Sequence, residues 1–265
     1  MTFAFTRSKV ATGIVLALTA VIIVMVWIRG QGGPVYIPIV GSLLMAGIGY
    51  FAARLAANVL SSMENTRYLG YLHMELDPEK FIKAYAPVPE KIKGDRTAAL
   101  SYLADGYWVA GRFDEAIATM KKAQPEDVSL LGLHASRLAC YALARGDKAE
   151  AKHQLARLEA VVDKTRTSNP SLSSNLSETL ELYREHLSAL NLQSVNSALL
   201  KSAFTKAQYN IRRLEIAQVQ AMDALRRHDS TEAEERLQYL SEHGGKTFFT
   251  KWARRRMAET ESAAN

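Results

Sequence analysis

The chain has 265 residues, a net charge of +6 and a single cysteine, Cys140. Lone Cys140 excludes an internal disulfide, and the charge does not mark a nucleic-acid binder. Of the 33 basic residues, four (Arg7, Lys9, Arg29, Arg54) lie in residues 1–60, which hold no acid, and the remaining 29 face 27 acidic residues without a basic stripe.

Residues 10–28 and 35–53 are two uncharged runs of 19 residues. At 1.5 Å per residue, each is long enough to cross a hydrocarbon core of about 30 Å. Trp27 sits at the end of the first, where an interfacial aromatic belongs. The first run is too long for the apolar core of a cleaved leader, and Trp27-Ile28-Arg29 is a poor cleavage site. Only Arg29–Pro34 separates the runs, so the expectation is an antiparallel transmembrane hairpin occupying residues 1–60. Gly49, Ala53 and Ala57 recur every four residues and give the second helix one small face. Such a face admits a close neighbour in lipid, either the first span or a second copy of the chain in a homo-oligomer. Arg7, Lys9, Arg54 and Arg67 flank the spans on their outer ends against Arg29 in the loop, which places both termini in the cytoplasm.

Leu55–Leu76 continues the second helix beyond the bilayer. Asp77-Pro78-Glu79 reads as a helix start: a capping carboxylate, proline at the first position, an acid in the first turn. Pro87 and Pro89 end that helix.

In Leu100–Pro125 two amphipathic helices are legible. Leu100, Leu103, Ala104, Tyr107 and Trp108 share one face, Gly111 breaks the pattern, and Phe113, Ala116, Ile117, Met120 and Ala123 share the next. Cys140, Gly146, Ala151 and Leu155 fall in a copy shifted by 35 residues, in which Ala135, Leu138, Ala139 and Ala142 form the first face. Cys140 reads as a buried small hydrophobe. A period of this length, with small residues where paired helices cross, resembles the tetratricopeptide repeat. Ala104, Met120 and the early Pro125 depart from its pattern. The resemblance implies an all-α chain in which the two-span transmembrane hairpin is followed by a TPR-like α-solenoid of helix pairs. It also implies that the first helix of each pair lines a concave, partner-binding face. On those helices the polar candidates are Ser101, Asp105, His134 and Arg137, expected to lie outside the core.

A helical linker and two repeats are thus placed in residues 61–164, with a serine-rich linker at 165–176 and C-terminal helical repeats with a closing helix in 177–265. Asp229-Ser230-Thr231-Glu232 is a capping box, with Ala233 in the position of Ala116, and a closing helix covers Lys246–Glu259. That helix carries Lys251, Arg254, Arg255 and Arg256 beside Phe248, Phe249 and Trp252. The cluster either rests on anionic headgroups or is solvated while its aromatics pack on the preceding helix.

No catalytic constellation is present. Six scattered histidines (73, 134, 153, 186, 228, 243) form no metal-binding pattern. Gly245-Lys246-Thr247 is similar to the end of a phosphate loop, but Leu240 stands where its first glycine belongs. No cofactor is implied. The reading is a non-enzymatic scaffold or adaptor on a bacterial plasma (inner) membrane, presenting a protein-binding surface to the cytosol. The alternative is an accessory subunit of a transport or secretion assembly that works through its hairpin.

Overall fold

The computed structural model describes residues 6–29, 36–92 and 94–264. All regular structure among them is helical: α1 (Thr6–Arg29), α2 (Tyr36–His73), α3 (Pro78–Tyr85), a 3-10 turn at Pro89–Lys91, α4 (Thr97–Val109), α5 (Phe113–Met120), α6 (Val128–Arg145), α7 (Lys148–Thr165), α8 (Pro170–Leu190), α9 (Ser197–Lys206), α10 (Asn210–Arg226), α11 (Ser230–His243) and α12 (Phe248–Ala264). The chain divides into two compact units, Met1–Tyr68 and Leu69–Asn265. The boundary therefore falls eight residues later than expected. The two C-terminal segments that the sequence separates belong to one unit.

In the first unit α1 and α2 pack antiparallel. A Cβ built on Gly49 would lie 2.2 Å from Thr19 Oγ1, and one on Gly41 would touch Val26 Cγ1 at 3.5 Å. The register thus pairs 19 with 49 and 26 with 41. Gly49 and Ala53 are buried, as the small face requires; the side chain of Ala57 lies outside the described residues. The Thr19 hydroxyl donates to the Val15 carbonyl at 2.8 Å, which leaves its own helix no free polar group at the contact. Large apolar side chains on the outer faces stay exposed, among them Leu18, Val24, Leu43, Leu44 and Phe51. Among the described residues one helix is long and apolar enough to cross a membrane, over Ile39–Ala56, while the apolar part of α1, Thr12–Ile28, is one residue shorter. Residues 30–35, which hold the expected loop, lie outside the described residues.

The second unit is built from consecutive helix pairs. Asp77 caps α3 by accepting from the Lys80 amide at 3.1 Å, with Pro78 at the first position. Gly111 and Gly146, 35 residues apart, both turn the chain with left-handed φ of +84° and +81°. The buried positions follow the same offset: Ala104 with Ala139, and Ala116 with Ala151, are all at 0% exposure, and Ala233 is buried at 4%. Small residues at these points let α4 and α5, α6 and α7, and α10 and α11 approach closely.

Residues 165–176 are not a linker. Asn169 caps α8 through the Leu172 amide at 3.1 Å, Pro170 opens the helix, and the serines form its first turns. Buried Ser173 donates to the Val162 carbonyl at 3.0 Å and so ties α8 to α7. Serine, asparagine and proline favour helix starts as well as turns, and here a capped helix consumes them.

Two further features depart from an open row of helix pairs. Helix α10 has no solvent face, because residues 214–221 are buried without a break. The last pair also folds back on the first. Phe248 and Phe249 pack on Trp108 of α4, with ring centroids at 6.1 and 5.8 Å, and Phe248 packs on Phe113 at 5.1 Å. Phe248 and Phe249 of α12 therefore pack on α4 and α5, 135 to 141 residues earlier, and not only on the helix before them. Beside them the Lys246 amide donates to the Leu76 carbonyl at 3.0 Å and its ammonium pairs with Asp77 at 2.5 Å.

Candidate functional site

The inner helices α4, α6, α8 and α10 meet in a buried polar cluster. Asp105 of α4 accepts from the Tyr141 hydroxyl of α6 at 2.6 Å and pairs with Arg137 at 3.1 Å. Cys140 of α6 donates through its thiol to Glu215 of α10 at 3.5 Å. Glu215 in turn pairs with Arg212, whose guanidinium lies 5.4 Å from the centre of the Tyr183 ring of α8. Two acids are thus balanced by two arginines inside the unit, as buried charges must be.

The environment sets the protonation states. Burial pushes the Asp105 carboxyl up, and the Arg137 charge and Tyr141 hydroxyl oppose that shift. Burial, with Glu215 next, raises the Cys140 thiol well above its ordinary value, which leaves it a protonated donor and a poor nucleophile. His186 is pushed down to about 4, mainly by burial and then by Arg212, against the pull of Glu215. Burial and Arg137 lower His73 as well.

Two cavities flank this cluster. The first, of about 450 Å³, is lined by residues that include His73, Asp105, Trp108, Arg137, Arg212 and Glu215. The second, of about 570 Å³, takes later residues of α10, Gln218 and Met222, together with Gly111, Gly146 and His186. At its mouth stand Lys251, Trp252, Arg255 and Arg256.

The four candidate partner residues are therefore only partly brought together. Asp105 and Arg137 line the first cavity and bind each other. Ser101 and His134 line neither cavity; both are buried, at 3% and 8% exposure. Burial, then the Arg157 charge, lowers the His134 pKa from its ordinary value. The expectation that these residues lie outside the core fails for Ser101, Asp105 and His134, because α10 and the outer helices cover the face the sequence leaves open. Charge reversal at Asp105 and Arg137 would act on an ion pair with a buried carboxylate and a half-buried guanidinium, and not on a solvated surface.

The basic residues of α12 do lie at the surface. Lys251, Arg254, Arg255 and Arg256 are exposed. Arg255 and Arg256 reach Glu259 at 3.8 and 2.8 Å, and the Arg256 guanidinium lies 5.9 Å from the Trp252 ring centre. Sequence patterning misses Arg212, Glu215, Tyr183 and His73. The available signal was an Arg-x-x-Glu pair on a helix otherwise lined by Ile211, Leu214 and Ile216.

No family model, curated protein or solved structure matches the chain. Among the described residues no group of three or more His, Cys, Asp or Glu side chains is placed to hold a metal ion.

Proposed function

We propose that the chain is a membrane-anchored, non-enzymatic adaptor. In this reading α1 and α2 both cross a bacterial inner membrane and both termini lie in the cytoplasm. The Leu69–Asn265 unit, built of tetratricopeptide-like helix pairs, docks a protein partner there. The observation that carries the reading is the first unit itself: two antiparallel helices joined by buried small residues, with large apolar side chains left exposed on their outer faces. Exposed apolar surface of that extent is what a lipid contact requires.

The docking face differs from the concave one that the repeat resemblance implies. Helix α10 and the buried ion pairs occupy that region, so a partner is better received at the mouth of the second cavity. There the Lys251 ammonium and the Arg255 and Arg256 guanidinium groups stand beside Trp252. Charges of this sign suit an acidic protein segment, and an aromatic beside them supplies the apolar contact that concentrates binding energy. Lys251→Glu with Arg255→Glu should abolish co-purification of the partner from membranes while the helical signal and melting temperature hold. Retention of the partner by that variant would remove this face from consideration.

The subunit reading is supported by the close Gly49–Thr19 contact, which would also hold the hairpin rigid inside a larger membrane assembly. Removing residues 1–68 separates the two. An adaptor's helical unit still binds its partner, whereas an assembly subunit loses incorporation.

A further inference from the structure

The first cavity contains hydrogen-bonding groups that the fold does not use. Trp108 is 4% exposed, packed by Phe248, Phe249 and Tyr141, yet its indole Nε1–H has no acceptor. The Nε–H of Arg137 is buried and also has none, since the contact of Arg137 with Asp105 is made through a terminal nitrogen. The Nδ1 of half-buried His73 is a third buried atom without a partner. All three side chains line the same 450 Å³ cavity. A buried donor left without an acceptor is costly, and such orphans are rare in native proteins. Three around one cavity of ligand-binding size point to a missing occupant.

The chemistry of the three atoms defines that occupant. Indole Nε1–H and guanidinium Nε–H are donors only, so they call for an acceptor with at least two lone-pair directions. The two carboxylates of the cavity accept from neither orphan donor: Asp105 is held by Arg137 and Tyr141, Glu215 by Arg212 and Cys140. Arginine matches a carboxylate in particular. Neutral His73, its pKa lowered, can donate to or accept from a hydroxyl next to that carboxylate. We propose that this cavity binds a small carboxylate, best one with a neighbouring hydroxyl group, through Trp108 Nε1–H, Arg137 Nε–H and His73. The site goes beyond the adaptor reading and stands whatever docks at α12.

The test is calorimetric titration of the full-length protein in detergent with acetate, with malate and with malamide, the diamide of malate. The acids should bind with a Kd of about 1 mM or tighter, malate better than acetate, and malamide at least about tenfold weaker than malate. Trp108→Phe removes the orphan donor and keeps an aromatic ring at the position, at the cost of part of the indole's packing. It should lower malate affinity about tenfold in protein that still folds at the titration temperature, with some loss of melting temperature from the smaller ring. If that variant does not fold, Arg137→Lys keeps a charge beside Asp105, lacks the Nε–H and should weaken malate by a similar factor. Absence of binding by both acids, equal binding of malate and malamide, or unchanged affinity in the variant would overturn the assignment. The orphan donors would then be served by water.

Discussion

Glu215, in the middle of α10, accepts a hydrogen bond from the thiol of Cys140 on α6, 75 residues earlier in the chain. With the Arg212 ion pair on its other side, this carboxylate is the point where α10 joins α6. Glu215 is 6% exposed, so truncating it leaves a mostly buried guanidinium without its partner. Glu215→Ala should cost about 3–5 kcal/mol. Replacing both members, Arg212→Leu with Glu215→Leu, removes the desolvated charges together and should recover most of that loss. Thermal melts of the detergent-solubilised protein followed by helical circular dichroism test both. A double variant as unstable as the single one would mean that the pair is not coupled.

Ala116 is fully buried where α5 crosses its neighbours, while Ala118 is exposed on the same helix. Ala116→Leu should overpack and cost about 1–3 kcal/mol, whereas Ala118→Leu should stay within about 0.5 kcal/mol. Equal melting temperatures for the two would refute the proposed packing register.

These positions show what was legible in the sequence. Ala116, Gly111, Gly146 and the Asp77 and Asp229 caps depend on residues within one turn or one hairpin, and local pattern shows them. Asp229 does accept from the Glu232 amide at 3.0 Å, although the Glu232 carboxylate turns to Arg227 and leaves the reciprocal half of the capping box unmade. Asp105 and His134 were misplaced because periodicity shows which face is polar but not what will cover it. The covering groups come from distant helices, as in Cys140–Glu215 or Trp108–Phe249. Asn169-Pro170 was ambiguous for another reason: the same residues open a helix or end one, and only the following apolar spacing (Leu172, Leu176, Leu180) decides.

His186 makes stability depend on pH. Its folded pKa of about 4 lies below the ordinary value of 6.5, so between these limits the unfolded chain binds the extra proton. Stability contributed by keeping the imidazole neutral is present above about 6.5 and is lost as pH falls toward 4, a loss of about 3 kcal/mol. Asp105, whose carboxyl is raised, acts in the opposite direction as it protonates. The difference between the wild type and His186→Gln isolates the histidine. The two melting curves should separate progressively below pH 6.5, with the wild type losing more. Parallel curves would mean that the imidazole is solvated.

Gly49 tests the hairpin. Even a methyl there would meet Thr19, whose Oγ1, Cγ2 and Cβ all lie within 2.7 Å of the built Cβ. Cysteines at Val26 and Gly41 should cross-link in the otherwise native protein, and adding Gly49→Leu should abolish that cross-link by forcing the helices apart. Undiminished cross-linking would show that the two helices do not meet at Gly49.

Membrane anchoring with a cytoplasmic helical unit is the claim on which the adaptor reading depends, and cysteine accessibility in intact cells measures it most directly. Buried Cys140 is first replaced by serine, which retains a donor toward Glu215. Single cysteines are then placed at Gly32, between α1 and α2 in the sequence, and at Ser262, an exposed residue of α12. A membrane-impermeant maleimide should label Gly32→Cys in intact cells and Ser262→Cys only after permeabilisation. Labelling of Ser262→Cys in intact cells, with Gly32→Cys protected, would place the helical unit outside and contradict the account.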